Sequence, residues 1–75
     1  MTELEMFAKQ TLEQGGVWFK LEKSEKGSLY KTQGRYCDGR NYYNTSSIFQ
    51  VFDATGKRLF VSESYQNALT YYENL

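Results

Sequence analysis

The chain contains no histidine, no proline and a single cysteine, and its formal net charge is zero. Each absence excludes something. Without histidine there is no side chain that ordinarily titrates near neutral pH, and no common activator of a serine or cysteine nucleophile. A zinc site built from histidine and cysteine is excluded with it. The lone Cys37 cannot form an internal disulfide. A free thiol suits a reducing compartment, so the expected location is cytoplasmic. A neutral chain has no global field drawing it toward nucleic acid or an anionic membrane. The apolar runs are far shorter than a membrane span, and the N-terminus lacks the basic-then-apolar pattern of a secretory signal. Asn44-Thr45-Ser46 therefore reads as an accidental glycosylation match. No glycine-rich phosphate loop is present: Gly15-Gly16 precedes a strand pattern, not a helix. The expectation is a chain with no catalytic residues, no cofactor, no metal and no membrane partner.

Seventy-five residues suggest one domain over residues 1–75. A core this small supplies about 3–5 kcal/mol of net stability. With disulfides and zinc set aside, aromatic packing and oligomerisation are the aids that remain, and a homodimer is one expected partner arrangement. Five Phe, seven Tyr and one Trp are enough to build a core and leave some rings outside it.

The pattern along the chain predicts an α+β fold: an antiparallel sheet of three to four strands with a helix packed at each end. Thr2 and Glu5 have the spacing of a capping box. Leu4, Phe7, Ala8 and Leu12 share one helical face, and Gly15-Gly16 ends the helix. Residues 17–23 alternate, which predicts a strand with Val17, Phe19 and Leu21 inward and Trp18, Lys20 and Glu22 on the wet side. Residues 24–27 read as a turn and 28–36 as a second strand, with Gly34 at a bend. Asp38-Gly39 is a turn signal, and residues 40–47 show no periodicity. Residues 48–52 and 58–62 are two more strands around the tight turn 53–57. Ser62 or Ser64 caps a last helix whose stripe is Tyr65, Ala68, Leu69, Tyr72 and Leu75. Ile48, Leu59 and Val61 are the expected core partners from the later strands. Tyr71 lies off the stripe and is expected to be partly exposed, as a surface aromatic or a dimer contact.

Residues 34–47, GRYCDGRNYYNTSS, stand out. They hold two arginines and three tyrosines and no large aliphatic side chain. Tyrosine and arginine dominate binding hot spots because they bury much area and keep polar handles. Arg35, Tyr36, Arg40, Tyr42 and Tyr43 are therefore the candidate anchors for another protein. The same types can serve nucleic acid by stacking on bases and gripping phosphate. Residues 16–40 carry six basic against three acidic residues, a net of +3, so Trp18, Lys20, Lys31, Arg35 and Arg40 form a second candidate set for DNA or RNA. The ordinary alternative is that the tyrosines edge the core and the arginines solvate a loop. Cys37 lies between Arg35 and Arg40, where a lowered thiol pKa is conceivable, but an inert cysteine near a turn is the commoner case. Glu22 and Glu25 flank a turn and read as solvating charges.

Two functional classes follow: a small non-catalytic protein-binding module (inhibitor, regulator or adaptor), or a small nucleic-acid-binding domain. A sheet backed by a C-terminal helix, with Trp18, Lys20 and Lys31 in its first hairpin, resembles the arm-binding domains of some integrases in architecture. A short histidine-free chain of this kind is also similar to small accessory proteins of phages and mobile elements. Residues 59–69, a strand running through Val61-Ser62-Glu63-Ser64 into a helix, resemble some anti-CRISPR inhibitors in style. That resemblance implies an inhibitor acting by surface binding.

Overall fold

The computed structural model describes the backbone of residues 1–37 and 42–75, and the side chains of residues 1–35 and 46–75. Helix α1 (Glu3–Glu13) is followed by strands β1 (Val17–Ser24), β2 (Gly27–Cys37), β3 (Tyr42–Asp53) and β4 (Arg58–Ser62), then helix α2 (Tyr65–Glu73). The strands form one antiparallel sheet in chain order, β1-β2-β3-β4. This is the α+β architecture expected from the sequence.

Local chemistry sets the element ends. Thr2 accepts from the Glu5 N–H, and the Glu5 carboxylate accepts from the Thr2 N–H at 3.1 Å, which completes the capping box. The Thr2 N–H, then the Thr2 hydroxyl, donate to the Glu5 carboxylate, which favours the charged form and holds it below its ordinary pKa. Gly15 closes the helix with a φ of 82°. In the β3–β4 turn one carboxylate oxygen of Asp53 accepts from the Thr55 hydroxyl and N–H and from the Lys57 N–H at 2.7–2.9 Å. The Thr55 hydroxyl, then the Lys57 N–H, hold the Asp53 carboxyl below its usual range. Ser64, not Ser62, caps α2 by accepting from the Asn67 N–H, while Ser62 accepts from the Ser64 N–H.

The two helices lie on opposite faces of the sheet. Adjacent residues of a strand point to opposite faces, and the contacts sort accordingly. Leu29, Phe49 and Val51 pack with Ala68 of α2, joined by Phe60, Leu69, Tyr72 and Leu75. On the other face Phe52, fully buried, meets Phe7 of α1 at a ring separation of 6.4 Å, with Trp18 and Tyr30 around it. Burying one such ring contributes about 2–3 kcal/mol. This second layer also holds polar groups. Gln50 donates to Thr32, Arg58 donates to Gln50, and the Arg58 guanidinium lies 4.1 Å from the Phe7 ring centroid.

Several expectations are corrected. Val17, Phe19 and Leu21 are not core: they are 40%, 46% and 38% exposed. Trp18 instead packs inward, 5.2 Å from the Tyr30 ring and 6.1 Å from Phe52. Alternation states that neighbours oppose each other but not which side is covered, and α1 covers the side on which the larger indole is buried. In α1 the buried pair is Phe7 and Thr11, while Leu12 is exposed. Lys9 pairs with Glu13 at 3.8 Å, while the Glu5 carboxylate is engaged at the cap. Finally β3 starts at Tyr42, not at Ile48, so a stretch without periodicity is a strand. Ile48, Leu59 and Val61 are half-buried rather than central.

Candidate functional site

The long strands build an arm. β1 joins the ladder at Val17↔Gln33, and β4 leaves it at Phe49↔Ser62. Residues 34–37 and 42–45 pair with each other, past the reach of both edge strands, as a two-stranded ribbon. Neither edge strand pairs along this stretch, so the sheet ladder itself imposes no apolar alternation on its sequence. The described backbone of the tyrosine- and arginine-rich segment lies mostly in this ribbon. Backbone register sets Arg35 opposite Asn44, Tyr36 opposite Tyr43 and Cys37 opposite Tyr42. Tyr36, Tyr42 and Tyr43 thus occupy two adjacent rungs. Their side chains, the Asp38-Gly39 turn and Arg40 lie outside the described residues.

The root of the arm is built by glycine. Gly34 has a φ of 86°, and β3 carries one more residue than β2 between the pairs Thr32↔Ile48 and Gly34↔Thr45. Such a bulge bends and twists a strand pair. The α1–β1 connector lies against this bend. The Gly16 N–H donates to the Thr11 carbonyl at 2.9 Å. A Cβ on Gly16 would stand 2.8 Å from the Thr11 methyl and 3.1 Å from both the Cβ and the carbonyl oxygen of Arg35. Only glycine lets the connector approach so closely. Arg35, half-buried, is thereby held at the foot of the ribbon.

The second candidate set does not form one surface. Trp18 and Lys20 point to the α1 face, whereas Lys31, the register partner of Phe19, points to the α2 face. Trp18 is half-buried in the α1 layer rather than standing free to stack on a base.

Other features lie away from the arm. An open groove of about 600 Å³ runs between β4 and α2, lined by Phe60, Asn67, Thr70, Tyr71, Asn74 and Leu75. Phe60 and Tyr71 stack there at 4.6 Å with an interplanar angle of 5°. Tyr71 was legible as an off-stripe aromatic, but its partner Phe60 was not. A second groove of about 400 Å³, reaching Thr2, Glu5, Lys23, Tyr30 and Asp53, lies where both short hairpin turns meet the start of α1. The two lowered carboxyls, Glu5 and Asp53, are here, and each is committed to a cap or turn. Among the described residues no three His, Cys, Asp or Glu side chains group as a metal site. No helix among them is long and apolar enough to cross a membrane. The chain matches no protein-family model, no curated protein and no solved structure.

Proposed function

We propose that this is a small non-catalytic protein-binding module that uses the β2–β3 arm to engage another protein, with Arg35, Tyr36, Arg40, Tyr42 and Tyr43 as anchors. The observation that supports it is the coincidence of the tyrosine- and arginine-rich segment with a ribbon that extends beyond the sheet. Nothing in the packing of the four-stranded sheet requires that extension, and the ribbon's composition is that of a binding hot spot. The partner is cytosolic, and an inhibitory, regulatory or adaptor role, such as small phage accessory proteins perform, suits a module that binds without reacting. A second copy of the chain is a further partner, through an edge of the sheet rather than through the arm.

The alternative is nucleic acid. A two-stranded ribbon fits the DNA major groove, and this one has Arg35 and Arg40 in its sequence. The division of Lys20 and Lys31 between opposite faces counts against a broad phosphate-binding surface.

The test is capture from cell lysate by the tagged chain, with and without nuclease, at low and moderate salt, beside Tyr42→Ala/Tyr43→Ala. A discrete protein retained under all conditions and lost with the double variant supports the arm, provided the variant melts as the parent does. Loss of the bound material to nuclease or salt transfers the site to nucleic acid. Unfolding of the double variant would make those tyrosines part of the fold and remove the assignment.

A further inference from the structure

Edge strands present a row of unpaired backbone N–H and C=O groups, and small proteins usually guard them. The two edges here, β1 and β4, are guarded unequally. β4 has five residues, one of them the extra residue Leu59, and its Arg58 N–H is already taken by the Glu3 carboxylate at 2.9 Å. β1 has eight residues, and its irregularity, at Leu21, leaves residues 17–20 in an unbroken ladder. Along this regular stretch Val17 and Phe19 stand exposed on the α2 face, followed by Leu21. The nine-residue α2 packs mainly on β2, β3 and β4, away from this edge. Three apolar residues thus stand partly exposed along one edge strand.

We infer that β1 pairs antiparallel with β1 of a second copy, about a twofold axis at Phe19, to make one continuous eight-stranded sheet. The edge is complementary to itself in that register. Phe19 meets Phe19 of the second copy, Val17 meets Leu21, and Trp18 meets Lys20, which sets an ammonium beside an indole on the α1 face. No like charges oppose each other. Shifting the axis to Lys20 would face two ammonium groups, and shifting it to Trp18 would set Leu21 against Gly15. An isologous contact needs this kind of self-complementarity, and an unrelated strand would have to supply it anew. The strip is small against the ~800 Å² per partner of a stable complex, so the dimer is weak, with a Kd of roughly 10 µM to 1 mM. This surface is separate from the arm and does not rest on the arm's proposed role.

Sedimentation velocity on the full chain, over a concentration series spanning that range, tests it. The expected result is a sedimentation coefficient that rises with concentration, with concentration-dependent hydrogen-exchange protection of outward amides in residues 17–20. Phe19→Glu faces two carboxylates across the axis and weakens association roughly tenfold or more. Val17→Lys acts in the same direction at the neighbouring pair and guards against a folding defect in the first variant. Glu63→Lys, beside β4, leaves association unchanged. A monomer throughout the series overturns the inference. So does a dimer indifferent to both β1 variants, or β1 protection that arises only when another protein is added.

Discussion

The side-chain amide of Gln50 donates to the Thr32 hydroxyl at 3.0 Å, between two strands and with both residues fully buried. Its oxygen accepts from Arg58 at 3.3 Å. Burying an amide without partners costs as much as a lost core contact, so these bonds are what make a glutamine tolerable under α1. Gln50→Leu removes the donor to the buried Thr32 hydroxyl and one acceptor of Arg58, and should lower stability by about 1–3 kcal/mol. Adding Thr32→Val should restore part of that loss. Urea unfolding followed by circular dichroism measures both, and equal midpoints for Gln50→Leu and the parent would show that the bonds contribute nothing.

Gly27 is a matter of space. A Cβ there would collide with the Phe52 carbonyl oxygen and stand 2.7 Å from a methyl of Leu75. The carbonyl belongs to a buried strand and cannot yield as a side-chain end can. Gly27→Ala should destabilise by about 3 kcal/mol, which is most of what so small a domain has. A thermal melt close to that of the parent would contradict the crowding.

Gly15 and Gly16 should differ although they are neighbours. At Gly15 there is room for a Cβ but the φ of 82° disfavours one, so Gly15→Ala costs about 1 kcal/mol and leaves the arm alone. Gly16→Ala pushes on the Arg35 backbone at the arm's root. In the capture experiment Gly16→Ala should weaken binding although every tyrosine is present, while Gly15→Ala should bind as the parent does. Equal binding by the two variants would uncouple the connector from the arm.

The Asp53 turn predicts an acid-dependent step. The folded carboxyl titrates below the ordinary aspartate value of 3.8. A depressed folded pKa means stability that is present above the unfolded value and lost as pH falls through the folded one. The melting temperature should therefore be insensitive to Asp53 from neutral pH down to about 4, then drop in more acid solution. Glu5 acts with the same sign, below its ordinary 4.5. In Asp53→Asn the neutral-pH melting temperature should be lower and the acid decline shallower. An acid decline unchanged in that variant would place the titrating group elsewhere.

Much of the fold was legible because its signals are local. The Thr2–Glu5 box, Gly15, the Asp53 turn and the Ala68–Leu69–Tyr72 stripe act within a few residues, and each stands where its chemistry predicts. The arm's residues were legible as a composition but not as a strand. A ribbon that neither edge strand flanks need carry no period to read.

What required the tertiary structure was the choice of sides. The alternation of residues 17–23 follows from the sequence, as does the succession of strand segments along the chain, whereas their pairing order came from the structure. Which of Trp18 and Phe19 is buried depends on where α1 and α2 settle, one on each face. α1 crosses β1 and β2 on the Trp18 side, and α2 covers the far strands on the other. Hydrophobic burial is nondirectional and rewards whichever face a helix happens to cover. A strand's own residues therefore settle that it has two faces, and the helices packed against it decide which is dry.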